Sequence, residues 1–408
     1  MPSADEDVYR DALKRQSAAD AGDQGNAERE PRGRWARWTR RRRLTTVAGV
    51  VLIIAGCGYI LFHFLRPKAG RCFDRGVAAL KRGEHDAAID LFTKAISLDP
   101  DTVSAYWNRA LAYERRPDYR RAIEDYTRVI EMLPWTPHVW ARRGYAHEMV
   151  GLRDRALEDY TEAIRLAPDK GYTFRDRGWL YRMEGDYTKA ITDYTKAIEL
   201  DHTDSTSLVA RALCLKGLKR YQEALRDYRE AVRVGPGDAR ARRTYAWFLA
   251  TCPDRTYRDR QEALVQIGMA VTLDSRNAAN LVRRADILAG LNRPEDAVRD
   301  YTEAIRVDPD DHWARNEYAW FLATCTDAEY RDGAKAVKHA LKANELYGGQ
   351  NAYLLGTLAA AYAESGDFAK AVECQEQALA VETTGYDTEA ALKRLDLYKA
   401  GKPYREAP

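Results

Sequence analysis

The side chains able to act as nucleophiles, metal ligands or general acids and bases are plentiful in this 408-residue sequence, but their spacing suits none of those tasks. The six cysteines, Cys57, Cys72, Cys214, Cys252, Cys325 and Cys374, form no CxxC pair and have no histidine at zinc-ligand spacing. They read as small apolar fillers, with bridged pairs unsupported. Seven histidines are scattered without clustering. No GxxxxGK cradles a phosphate, no HExxH offers a metal site, no GxSxG offers a nucleophile, and no GxGxxG follows a strand. The carboxylates fall on solvated helix faces. No catalytic residue, metal or cofactor is assigned, and the chain reads as a non-enzyme.

What chemistry remains is pairing of charge. Arginine recurs at Arg109, Arg143, Arg177, Arg211 and Arg284, and in those segments an aspartate follows at Asp125, Asp159, Asp193, Asp227 and Asp300. Where the first position is Tyr245, Tyr318 or Leu358, the second is Gln266, His339 or Cys374. Arginine and aspartate thus come and go together, which predicts an ion pair tying two helices of each segment. Joint copying of one ancestral segment is the competing explanation. The first segment breaks the rule, with Arg75 but Leu91.

The elements that must position these pairs follow from a 34-residue period starting at residue 69. Its marks are a small residue, an aromatic, a second small residue, then proline. Ala88, Phe92, Ala95 and Pro100 set it. Ala122, Tyr126, Val129 and Pro134 follow, then Ala156, Tyr160, Ala163 and Pro168. Ala190, Tyr194 and Ala197 precede His202 in place of proline; Ala224, Tyr228, Ala231 and Pro236 and Ala297, Tyr301, Ala304 and Pro309 continue the series. Alanine lets one helix approach its partner closely, the aromatic fills the gap a turn away, and proline marks the exit. A first helix precedes each, with Gly76, Ala110, Gly144, Gly178, Ala212 or Ala285 at its eighth position.

This pattern resembles the tetratricopeptide repeat, over residues 69 to 384. The resemblance implies an all-α fold: helix–turn–helix units stacked in a right-handed superhelical solenoid, here about nine of them. Two segments, Tyr245–Ala263 and Tyr318–Ala336, share YAWFLATC and a later YRD and carry five extra residues between their helices, with Asp259 and Asp332 placed to cap the second helix. These paired segments look like a variant found in bacterial envelope repeat proteins. Residues 385–408 read as a polar capping helix and tail.

In the family, first-helix positions two, five, six, nine and twelve line a concave groove that binds partners. Carried over, position nine gives Leu111, Tyr145, Trp179, Leu213, Trp247 and Trp320; position two gives His138, Tyr172, Trp313 and Tyr353; position five includes Trp107. Arg142, Arg175, Arg182, Arg240, Arg243 and Arg283 are interleaved. The resemblance therefore implies a non-enzymatic protein-interaction scaffold whose groove takes a peptide or protein, with apolar and acidic side chains suited to those anchors. Some of these aromatics would instead pack between helices. The alternative is a glycan-binding or secretion-associated envelope protein using the same groove. Tryptophans exposed beside carboxylates would favour sugar, and beside arginines, peptide. The family's chaperone-tail clamp needs asparagine at position nine, which no unit has.

Before the repeats, Leu44–Leu65 contains no Asp, Glu, Lys or Arg. As a helix its length is about 33 Å, enough to cross a bilayer core. Seven arginines precede it, from Arg32 to Arg43, with Trp35 and Trp38 among them. The expectation is a single-pass membrane protein with residues 1–43 cytoplasmic and the repeats extracytoplasmic. A second reading makes Ile54-Ala55-Gly56-Cys57 a lipoprotein cleavage box with Cys57 lipidated. Residues 1–31 hold eight acids and four bases with few aliphatics and read as a disordered tail. A net charge of only +3 and the expected location argue against nucleic acid as a partner.

Overall fold

The structure, a computed structural model, describes residues 67–381 and 385–405. The tail, the 44–65 segment and Cys57 lie outside the described residues. Among the described residues there are nineteen α-helices and no strand. Among them, too, no helix is long and apolar enough to cross a membrane.

Eighteen helices form nine antiparallel pairs. In the compact unit that ends at Leu200, the pairs are α1 (67–81) with α2 (His85–Leu98), α3 (Val103–Arg115) with α4 (Tyr119–Met132), α5 (Pro137–Met149) with α6 (Arg153–Leu166), and α7 (Gly171–Met183) with α8 (Tyr187–Leu200). The unit from Asp201 onward holds α9 (Ser205–Gly217) with α10 (Tyr221–Val234), α11 (Ala239–Thr251) with α12 (Arg260–Leu273), and α13 (Ala278–Gly290) with α14 (Pro294–Val307). It continues with α15 (His312–Thr324) and α16 (Gly333–Tyr347), then α17 (Ala352–Glu364) and α18 (Phe368–Ala380), and α19 (Thr388–Lys399) lies on α18.

The period determines the core. Ala88, Phe92, Ala95, Ala122, Tyr126, Ala156, Tyr160, Ala190 and Tyr194 are all buried, as are Ala224, Tyr228, Ala297 and Tyr301. Small residues at the eighth position exist because the aromatic ring lies against them. A Cβ on Gly76 would sit 2.6 Å from the Phe92 ring, and one on Gly178 would sit 3.1 Å from the Tyr194 ring.

The predicted ion pairs are present. Arg109, Arg143, Arg177, Arg211 and Arg284 each bond their aspartate through two guanidinium nitrogens, with contacts of 2.6–3.3 Å. Three of these arginines also reach back to the preceding pair: Arg109 donates to Thr93, Arg143 to Thr127 and Arg177 to Thr161, at 3.0–3.1 Å. In those three repeats the pair therefore joins two helices of one repeat and fastens that repeat to its neighbour. The aspartates are buried, so the bidentate geometry replaces the water they have lost.

The two long connections are closed by their own YRD residues. Each contains a short 3₁₀ turn, Arg255–Tyr257 and Ala328–Tyr330. Arg258 donates to the Cys252 carbonyl at 2.5 Å and Arg331 to the Cys325 carbonyl at 2.8 Å. Asp259 and Asp332 then accept from the Glu262 and Lys335 amides, both at 2.9 Å, starting α12 and α16. Cys214, Cys252 and Cys374 are buried.

Candidate functional site

In the unit ending at Leu200, position nine of α5 and α7 places Tyr145 and Trp179 at the surface, 38% and 37% exposed. Tyr172 on α7 is exposed as well. The Arg182 guanidinium lies 4.3 Å from the centre of the Trp179 ring and has no ion-pair partner among the described residues. Arg175 is 3.7 Å from Asp176. Arg142 is half-exposed and donates to Glu114 at 3.3 Å.

Two of the expected groove residues pack against one another. His138 is buried, with its ring edge-on to Trp107 at 4.9 Å. Trp107 is itself half-buried against Tyr126 at 5.5 Å. Together they fill space between α3, α4 and α5.

The carboxylates beneath this face escaped the sequence reading. Glu114 accepts from the Tyr126 hydroxyl at 2.7 Å, and Glu148 from the Tyr160 hydroxyl at 3.3 Å. Burial pushes both carboxyls up, opposed by those hydrogen bonds and, at Glu148, by one from the Trp179 indole. A signal was present: the core aromatic is Phe92 where position twelve is Leu80, and Tyr126 or Tyr160 where it is Glu114 or Glu148. A buried phenol needs an acceptor, and in these two repeats position twelve supplies it.

In the unit from Asp201, the expected residues are more heavily committed. Arg283 lies 4.1 Å over the Trp247 ring and also pairs with Asp286 at 2.9 Å. Asp286 accepts from the Tyr301 hydroxyl at 2.7 Å, and burial raises its carboxyl, with Arg283 opposing. Arg243 donates to Asn280 at 2.9 Å, and burial together with Arg240 and Arg283 pulls its guanidinium down. Trp313 is exposed beside Tyr353, at 6.5 Å edge-on. Trp320 is half-buried. A cavity of about 260 Å³ opens between α11, α13 and α15, with Trp247, Trp320, Asp286 and Glu317 among its lining. Both tryptophans thus have an arginine and a carboxylate nearby, Arg283 and Asp286 at Trp247 and Arg182 and Glu148 at Trp179.

Family models described as tetratricopeptide repeat match residues 73–134, 172–204 and 259–391. The chain carries tetratricopeptide repeats. The fold agrees: a solved tetratricopeptide repeat protein from Parabacteroides merdae is 17% identical, covers 61% of this chain and 96% of its own, and superposes with a TM-score of 0.50. The C-terminal part of a repeat-containing protein from Cytophaga hutchinsonii is 17% identical over 60% of this chain and 98% of its own, TM-score 0.47. YrrB, described as a TPR protein with an unusual peptide-binding site, is 22% identical over 47% of this chain and 96% of its own, TM-score 0.36. Among curated proteins, no sequence relative matches. Tetratricopeptide repeats as a class mediate protein–protein interactions, and the fold is typically a non-enzymatic scaffold.

Proposed function

We propose that this tetratricopeptide-repeat chain is a membrane-anchored scaffold that captures a peptide or protein on the first-helix face of α5 and α7. The carrying observation is the exposure of Tyr145 and Trp179 at the same position of consecutive repeats, with Arg182 stacked on the indole and without an ion-pair partner among the described residues. An aromatic or aliphatic ligand side chain would rest on these rings, and a ligand carboxylate would complete Arg182. Truncating such an anchor typically costs about 2 kcal/mol or more of binding. Trp179→Ala is therefore expected to weaken crosslinked capture of the partner while leaving the melting temperature unchanged. A large fall in melting temperature, or undiminished capture, refutes this face as the site.

The anchor is the 44–65 segment, with the repeats on the extracytoplasmic side, as the arginine excess before Leu44 supports. Protease added outside intact cells should digest the repeats. Digestion only after the membrane is opened reverses the orientation, and a mature chain beginning at a lipidated Cys57 replaces the spanning helix with a lipid anchor.

A second reading is supported by the cavity lined by Trp247, Trp320, Asp286 and Glu317. Aromatic faces beside carboxylates suit the apolar faces and hydroxyls of a sugar. Glycan binding abolished by Trp247→Ala, with partner capture intact, would favour it.

A further inference from the structure

Beyond α19 the chain turns back across the first helices of the last two repeats. Gly401 and Lys402 donate backbone hydrogen bonds to the carbonyls of Tyr398 and Leu397, at 3.0 and 2.9 Å, ending the helix. The segment then reaches Trp320, the position-nine residue of α15. Tyr404 packs on Trp320 with ring centres 5.8 Å apart. Arg394 of α19 lies over both rings, 5.6 Å from Trp320 and 5.9 Å from Tyr404. Arg405 then enters a cation site: its Nη1 is 2.6 Å from Glu364 Oε2 and 3.3 Å from the Ala323 carbonyl.

That site is built by the fold. Ala323 lies in the last turn of α15 and Glu364 is the last residue of α17, so two helix C-termini converge on the guanidinium. Carbonyls of a last turn have no partner within their helix, and the negative end of the dipole favours a cation. Arg331 holds Glu364 from the other side at 3.0 Å, which fixes the carboxylate. An aromatic seat on Trp320 thus adjoins a cation seat on Glu364. These are the seats a binding face presents to a ligand, and the chain's own Tyr404 and Arg405 fill them.

We propose that the face formed by Trp320, Glu364 and the Ala323 carbonyl is a binding site for a peptide segment in which an aromatic residue is followed by arginine. The C-terminal segment 401–405 is its built-in occupant, so a partner segment of that chemistry binds by displacing it. The inference rests on the partner-binding reading above and assigns it a second, self-covered site.

The test uses a fluorescein-labelled peptide of residues 401–408, GKPYREAP, and fluorescence anisotropy. It is titrated into the full chain in detergent and into a chain stopped after Ala400 whose melting has been checked. The full chain should bind at least ten-fold more weakly than the shortened one. Changing the peptide's tyrosine to alanine, or introducing Glu364→Gln in the shortened chain, should each weaken binding about ten-fold. If the shortened chain does not fold, Tyr404→Ala and Arg405→Glu in the full chain serve instead, and each should open the site to the wild-type peptide. Absence of saturable binding to the folded opened chain, or equal binding to the closed one, overturns the proposal. Trp179→Ala lies in the other compact unit and should leave this peptide's binding unchanged, so failure here is separable from failure of the α5–α7 face.

Discussion

Removing one arginine from the interhelical ladder should destabilise the protein far more than removing the whole pair. Arg177 donates to both Asp193 oxygens at 2.8 Å and to Thr161 at 3.1 Å. The Asp193 side chain is only 5% exposed. Arg177→Leu would leave that carboxylate buried and uncompensated, at a cost of about 3–5 kcal/mol. The chain itself supplies the apolar alternative, since Leu358 and Cys374 occupy the equivalent positions of the last repeat. Arg177→Leu combined with Asp193→Cys should therefore recover most of the loss, leaving a net change within about 1 kcal/mol and a coupling of at least 2 kcal/mol in the double-mutant cycle. Urea unfolding followed by circular dichroism measures all four corners of the cycle. A single-mutant loss below about 1 kcal/mol, or two additive losses, would refute the idea that burial of the pair gives the arginine its importance.

Two further outcomes follow from particular contacts. His339 packs 5.1 Å from Tyr318, and burial, with Arg315, Lys335 and Lys338 adding to it, lowers its imidazole from 6.5 to about 4. The unfolded chain takes up the proton first, so this stability is full above about pH 6.5 and lost as pH falls towards 4. The loss should be about 1–2 kcal/mol after solvent screening, and it should vanish in His339→Leu when melts are compared across that window. Gly333 opens α16 with its Cα against the turn between α17 and α18 of the following repeat, where an added Cβ would lie 2.5 Å from the Ser365 amide nitrogen. Gly333→Ala should cost about 1–3 kcal/mol by chemical denaturation, because backbone cannot step aside as a side-chain end can. Gly237→Ala, with nothing within 4 Å of the added carbon, is the control, and equal effects of the two would remove the steric explanation.

The repeats were legible in the sequence because each mark has a local cause. Alanine and glycine stand where an aromatic from the partner helix must lie against backbone, and Asp259 and Asp332 stand where a helix needs its first amides satisfied. The Arg109–Asp125 type of pair could be read because both partners travel together through the repeats. What the sequence left open were contacts set by the approach of different helices. Nothing in the spacing of His138 or Trp107 shows that they meet one another and that His138 leaves the surface. Arg243 looks free in the sequence, yet Asn277 and Asn280 at the start of α13 claim it. Tyr404 and Arg405 carry no period at all; only the folding back of the chain beyond α19 seats them on Trp320 and Glu364. Periodicity fixes which face a residue shares with its own helix, whereas the packing of one helix on the next decides whether that face meets solvent, a neighbour or the chain's own end.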